Sequence, residues 1–172
     1  SRYTDHGLRK GRVLSNISNA WKHESKRLLL NVNLKDYYPS FNFGRGRGYF
    51  LKNRSFELHE DVARLIAQIV CDDNSLPQGA PTSPIVSELI TSILDQRLGR
   101  LSKKHHCTYS RYADDITFST NKASFPEAIA DFSTETDGAW KAGKERVNLV
   151  ERLGFALKPN KTRMHLSASR PI

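Results

Sequence analysis

Only two cysteines, Cys71 and Cys107, occur in 172 residues, too few and too far apart for a disulfide framework or a zinc site. Both are read as structural thiols, and a reducing cytoplasm is the simplest setting for them. Long hydrophobic runs are missing as well. Nothing approaches the roughly 20 apolar residues of a bilayer-spanning helix, and Ser1-Arg2-Tyr3-Thr4-Asp5-His6 lacks the apolar stretch of a signal peptide. Acidic residues are scarce beside basic ones, 18 Asp+Glu against 27 Lys+Arg, which leaves a formal net charge of +9. The 38% hydrophobic and 26% charged residues are those of a water-soluble globular domain with one core, and exclude a collagenous, low-complexity or wholly disordered chain. The basic excess favours a polyanionic partner, because Lys and Arg that neutralise phosphates release condensed counterions.

Read in order, His6 to Arg12 is a glycine-punctuated basic turn, and Val13 to His23 is an amphipathic helix with Val13, Leu14, Ile17, Ala20 and Trp21 at helical spacing. Lys26 to Leu34 is a buried-type strand ending at Lys35-Asp36, and Tyr37-Tyr38-Pro39-Ser40-Phe41 is a turn. Phe43 to Phe50 sets Arg45 and Arg47 among three glycines and is expected to be a flexible basic loop, either a phosphate contact or a solvated linker. Glu60 to Cys71 is a helix with Val62, Leu65, Ile66, Ile69 and Val70 on its buried face and acids at its N-terminus. The rigid loop Leu76 to Pro84 leads into a long helix from about Pro84 to Lys104, capped by Ser83, with Ile85, Leu89, Ile93, Leu94, Leu98 and Leu101 as its buried stripe.

Cys107 to Tyr112 and Ile116 to Thr120 read as a β-hairpin with Ala113-Asp114-Asp115 at its bend. Phe125 to Phe132 is expected to be helical, and Ser133 to Gly143 irregular. Lys144 to Leu153 is a helix closed by Gly154, followed by short strands at Phe155 to Leu157 and Arg163 to Leu166. This order predicts an α+β fold, an antiparallel sheet with helices packed on one face.

Asp36 ends a buried-type strand, and Asp114 and Asp115 lie at a hairpin tip. If those strands are neighbours, the three carboxylates converge and repel one another unless hard divalent cations bind. Two Mg²⁺ ions roughly 3.5–4 Å apart would activate an attacking hydroxyl and stabilise the leaving oxygen of a phosphoryl displacement. An Asp-Asp pair alone is ordinary turn chemistry. Here Tyr112-Ala113-Asp114-Asp115 follows Asp36-Tyr37-Tyr38-Pro39-Ser40-Phe41 and Leu76-Pro77-Gln78-Gly79-Ala80-Pro81-Thr82-Ser83-Pro84. Together these segments resemble the palm motifs of reverse transcriptases.

The resemblance sharpens to retron-type bacterial reverse transcriptases through Asn19-Ala20-Trp21-Lys22-His23, which matches their NAxxH element, and through His6 to Arg12, Asn42 to Phe50 and Gly154 to Arg163. It implies a right-hand polymerase palm over 26–172 with a fingers-to-palm connection over 1–25. The N-terminal finger motifs, the VTG-containing segment and the thumb are expected to lie outside these residues. It further implies that Asp36, Asp114, Asp115 and the Tyr37 carbonyl hold two Mg²⁺, with Mn²⁺ as a substitute. Phe41 would stand under the incoming sugar and exclude a 2′-hydroxyl, and Gln78 and Gly79 would line the nucleotide pocket. Lys161 would serve the departing pyrophosphate, while Arg9, Lys10, Arg12, Arg45 and Arg47 would contact nucleic acid. For Phe41 a core aromatic, and for the basic residues a solvated surface, are the alternatives. Asn19 and His23 share a helical face, where His23 either touches RNA or hydrogen-bonds inside the fold, the latter preferred.

In such a family the partners are a structured noncoding RNA as template and primer, deoxynucleoside triphosphates, the RNA-DNA product (msDNA) and an effector protein in phage defence, with no membrane. The competing readings are a catalytically inactive palm serving as an RNA-binding or docking module, and a group II intron or CRISPR-associated reverse transcriptase. A metal-dependent nuclease would leave Gln78 and Phe41 without a role.

Overall fold

The computed structural model describes residues 21–53, 58–132, 140–158 and 163–166. Its elements are β1 (Leu28–Lys35), α1 (Phe43–Lys52), α2 (Glu60–Val70), α3 (Thr82–Lys104), β2 (Thr108–Tyr112), β3 (Asp115–Thr120), β4 (Ala130–Phe132), β5 (Trp140–Ala142), α4 (Lys144–Arg152), β6 (Ala156–Leu157) and β7 (Arg163–Leu166). The fold is α+β with antiparallel pairing, as expected. The chain divides into a sheet unit, Ser1–Lys35 with Ile93–Ile172, and a helical unit, Asp36–Ser92.

In the sheet unit the strands run β2-β3-β1-β6, with β7 also paired to β1. Strand periodicity builds this sheet. Leu28, Leu30, Val32 and Leu34 alternate along β1 and are buried, and the register sets Leu30 opposite Phe118 and Val32 opposite Ile116. Each such side chain contributes about 1.5–3 kcal/mol through burial, so a one-residue slip would turn the whole row away from the core. On β2, Tyr109 and Arg111 share one face and both reach Asp95 of α3, while Ser110 points to the opposite face and meets His23. The β4–β5 ribbon leads into α4, which ends in a Schellman motif: Phe155 N–H bonds the Val150 carbonyl and Gly154 N–H that of Glu151, with Gly154 at φ 75°.

Gly143, before α4, is required by space. A Cβ there would lie 2.3 Å from the Glu127 carbonyl oxygen, where Gly143 N–H bonds Ile129 O and Arg146 N–H bonds Ala128 O. Arg146 itself is buried over the Phe118 ring at 5.8 Å, and burial pushes its guanidinium down to about 10.

The helical unit corrects one expectation outright. Phe43 to Phe50 is not a loop but most of α1: the Asn42 side chain caps it by accepting Arg45 N–H at 2.8 Å, and Gly46 is buried against Ala67 of α2, whose Cβ lies 3.8 Å from where a Gly46 Cβ would stand. A cap and a close helix–helix contact here override the poor helix propensity of three glycines. On α2 the buried residues are Ala63, Ala67 and Val70, whereas Val62, Leu65 and Ile69 of the expected core face are exposed. The small residues win the buried side because they admit a neighbouring helix closely. After α2, the Asp72–Ser75 turn carries positive φ at Asp73 and Asn74, as a tight two-residue turn requires.

Helix α3 also departs from its expected stripe. Ile85 is exposed, Leu89 and Ile93 are half-buried, and Val86, Ser87, Ile90, Thr91 and Asp95 are buried alongside Leu94, Leu98 and Leu101. Ser87, Thr91 and Ser102 can be buried because each hydroxyl donates to a carbonyl one turn back, at Pro84, Ser87 and Leu98. Ser83 does not cap α3; its hydroxyl donates to Pro77 O at 2.7 Å and so braces the proline-rich loop. Phe125 to Phe132 is no helix: Phe125 is buried, a turn follows, and Ala130 enters β4. Among the described residues no helix is long and apolar enough to cross a membrane.

Candidate active site

The β2–β3 connection is Ala113-Asp114, with Tyr112 opposite Asp115 in the register. Ala113 sits at φ 50°, a left-handed conformation that costs an L-residue about 1–2 kcal/mol and persists only where neighbours hold it. Both turn carbonyls are held. Arg111 Nη1 donates to Ala113 O at 2.8 Å, and Leu34 N–H donates to Asp114 O at 2.9 Å. The carboxylates are held too. Lys158 Nζ donates to Asp114 Oδ2 at 3.3 Å, and Asn33 Nδ2 donates to Asp115 Oδ1. Lys158 is anchored in turn by its own N–H, 2.9 Å from Asn33 O.

Behind the turn, Arg111 makes a two-pronged pair with Asp95, Nε to Oδ1 and Nη2 to Oδ2, both at 2.8 Å, with side-chain exposures of 0% and 8%. Tyr109 O–H adds a third bond to Asp95 Oδ1 at 2.7 Å. On the other face of the hairpin His23 is buried, with Nδ1 2.6 Å from Ser119 Oγ and Nε2 2.6 Å from Ser110 Oγ. His23 therefore hydrogen-bonds inside the fold, tying the end of the NAxxH element across both hairpin strands.

In the helical unit, Asp36 is the exposed residue that follows β1, at φ 45°, and its carbonyl accepts Ser40 N–H at 2.8 Å. The Tyr37 carbonyl accepts the Ser40 hydroxyl at 2.6 Å and the Ser40 N–H at 3.3 Å. Because Thr91 Oγ1 donates to Ser87 O, the Tyr37 hydroxyl is the donor in its 3.1 Å bond to Thr91. Phe41 is 1% exposed and packs edge-on to Tyr37 at 4.9 Å, with the Arg45 guanidinium 5.9 Å above its ring. Arg45 is thus half-buried, and burial lowers its pKa, while Arg47 pairs with Glu60. Gln78 and Gly79 are exposed; Gly79 has φ 87° and open space where a Cβ would point. Arg9, Lys10, Arg12, Asn19 and Lys161 lie outside the described residues.

The donor chemistry suits a hard divalent ion: Asp114 and Asp115 offer only oxygen, are within reach of solvent, and one of them already draws an ammonium. Among the described residues no three His, Cys, Asp or Glu side chains form a metal-holding group. Sequence reasoning missed Lys158, Asn33, Asp95 and the role of Arg111. Asn33 carries a faint signal, as a polar residue inside a buried-type strand; Asp95 carries another, as an acid one residue after Leu94 in the run that holds Leu94, Leu98 and Leu101.

A carboxylate pair on a braced hairpin, beside a strand that runs straight into a further aspartate, is the architecture of a polymerase palm. The family model for reverse transcriptase (RNA-dependent DNA polymerase) matches residues 2–171, and the chain belongs to that family. Its relatives include the retron Mx162 reverse transcriptase of Myxococcus xanthus, 32% identical over 180 aligned positions that cover 96% of this chain and 36% of that protein. The retron Ec86 reverse transcriptase of Escherichia coli is 34% identical over 67% of this chain and 35% of its own length. The retron Ec83 reverse transcriptase, also of Escherichia coli, is 47% identical over 62% of this chain and 36% of its own length. The chain is thus of retron type, and it spans about a third of the length of these curated relatives.

Proposed function

We propose that the chain is the palm, over residues 26–172 with a fingers-to-palm connection over 1–25, of an RNA-directed DNA polymerase that makes RNA-linked DNA from a structured noncoding RNA. The observation that carries this reading is the Ala113-Asp114 turn: two adjacent carboxylates with their backbone held at both carbonyls, on a hairpin whose partner strand β1 continues directly into Asp36. Asp36, Asp114, Asp115 and the Tyr37 carbonyl would hold two Mg²⁺. Bound there, the ions supply charge stabilisation to the attacking and leaving oxygens of nucleotidyl transfer. The chain's own residues do the rest by positioning. Asn33 and Leu34 set the turn against β1, and Lys158 balances the Asp114 charge when no ion is bound. Gln78 and Gly79 line the nucleotide pocket, where the open space at Gly79 suits close approach. Phe41, braced by Tyr37, limits the sugar to a deoxyribose, and Lys161 attends the departing pyrophosphate. Arg9, Lys10, Arg12, Arg45 and Arg47 form the basic contacts to the template, consistent with the net charge of +9. The likeness to retron enzymes extends the reading to a cytoplasmic role in phage defence beside an effector protein.

Calorimetric titration of the chain with Mn²⁺ tests the centre of this reading. The parent chain is expected to bind, and Asp114→Asn and Asp36→Asn to weaken binding at least tenfold. Equal affinity in all three would overturn the metal assignment. Primer extension on an RNA template with Mg²⁺ and deoxynucleotides, parent against Asp114→Asn, tests the chemistry; salt-sensitive RNA binding with no metal-dependent turnover would make the chain a binding module instead.

A further inference from the structure

We propose that Arg111 is a positioning residue for the Asp114 and Asp115 carboxylates, holding the turn that carries them through its bond to the Ala113 carbonyl. This rests on the metal-site reading above and names the part of the molecule that sets that site's geometry. Ala113 carries a Cβ yet stands at φ 50°, so the turn's shape is imposed from outside it. Of its two carbonyls, one is fixed from β1 by Leu34 N–H and the other by Arg111 Nη1. Arg111 can aim Nη1 at Ala113 because its other edge is locked: Nε and Nη2 each meet one oxygen of Asp95 at 2.8 Å. The planar guanidinium transmits that orientation rigidly, which a lysine could not do, since one ammonium cannot fork across a carboxylate and reach the carbonyl in the same plane.

Stability alone does not account for the pair. Buried ion pairs replaced by apolar side chains of similar volume commonly lose nothing in stability, so an apolar pair would fill this space as well. What it would lack is a donor for Ala113 O. Outer partners that orient a metal's ligands typically govern about 10- to 100-fold of its affinity.

The experiment compares the parent chain with Arg111→Lys, with the double variant Arg111→Met/Asp95→Leu, which leaves no unpaired buried charge, and with Tyr109→Phe, which removes a bond to Asp95 that does not reach the turn. Two readouts are taken: Mn²⁺ affinity by calorimetry, and hydrogen exchange of the 112–115 amides without metal. Arg111→Lys and the double variant are expected to bind Mn²⁺ about 10- to 100-fold more weakly and to exchange faster at the turn, with exchange in β1 and α3 unchanged. Tyr109→Phe is expected to shift the unfolding midpoint but leave Mn²⁺ affinity within about twofold. If the folded double variant keeps the parent's Mn²⁺ affinity and turn exchange, the proposal is wrong. If the parent itself binds no Mn²⁺, it is the metal-site reading that fails, and the exchange readout still decides whether Arg111 holds the turn.

Discussion

The two units solve the problem of burying polar chemistry differently. In the sheet unit, buried polar side chains are joined across long sequence distances: His23 to Ser110 and Ser119, Arg111 to Asp95, each bond linking elements that only the tertiary fold brings together. In the helical unit many polar groups are satisfied locally, Asn42 capping its own helix, Ser40 bonding Tyr37, Thr91 bonding Ser87, beside longer-range bonds such as Tyr37 to Thr91, and the helices meet through Gly46 and Ala67. Long-range bonds fix register and turn geometry, which a carboxylate pair needs. Local caps and small-residue packing hold helices in place with less demand on any single group. The exposed Val62, Leu65 and Ile69 belong to this second unit, where no row of side chains is fixed by strand register.

Substitutions can sharpen or break that contrast. Asp95→Ala should destabilise most, by about 3–5 kcal/mol, because it strands the Arg111 guanidinium in the core; urea unfolding of parent and variant measures it. Gly143→Ala should cost about 3 kcal/mol, since the new methyl meets the Glu127 backbone and one of them must move. A Gly143→Ala protein as stable as the parent would mean that the β4–α4 junction is looser than described. His23→Ala removes two buried hydrogen bonds and should lower stability by about 2 kcal/mol. An RNA-binding defect with unchanged stability would instead return His23 to a nucleic-acid contact. Gly46→Ala, in the helical unit, should raise stability by about 0.5–1 kcal/mol, because its Cβ would stand in ordinary contact, 3.8 Å from that of Ala67, and alanine favours the helix. A loss there as large as that at Gly143 would erase the distinction between the units.

Much of the fold is legible in the chain because its signals are local. The alternation of Leu28, Leu30, Val32 and Leu34, the Gly154 stop after α4, and the aromatic and β-branched residues of the strands around Asp114-Asp115 each carry their physical cause within a few residues. Three glycines in Phe43 to Phe50 argue locally against a helix, and the Ala67 contact that offsets them lies on another element. The faces of α2 and α3 were misassigned for a related reason: hydrophobicity ranks Val62, Leu65 and Ile85 above Ala63, Ala67 and Ser87, but close approach selects the small residues. Phe125 to Phe132 loses its expected helix to strand pairing with β5.

Residue types and their spacing were enough to mark the carboxylates, the motif segments and the family, because those depend on chemistry each residue carries wherever it lies. The brace around the carboxylates depended on the folded chain. Asp95 and Arg111, or His23 and Ser119, are remote in the sequence, and a hydrogen bond between them exists only once the backbone has brought donor and acceptor within 3 Å.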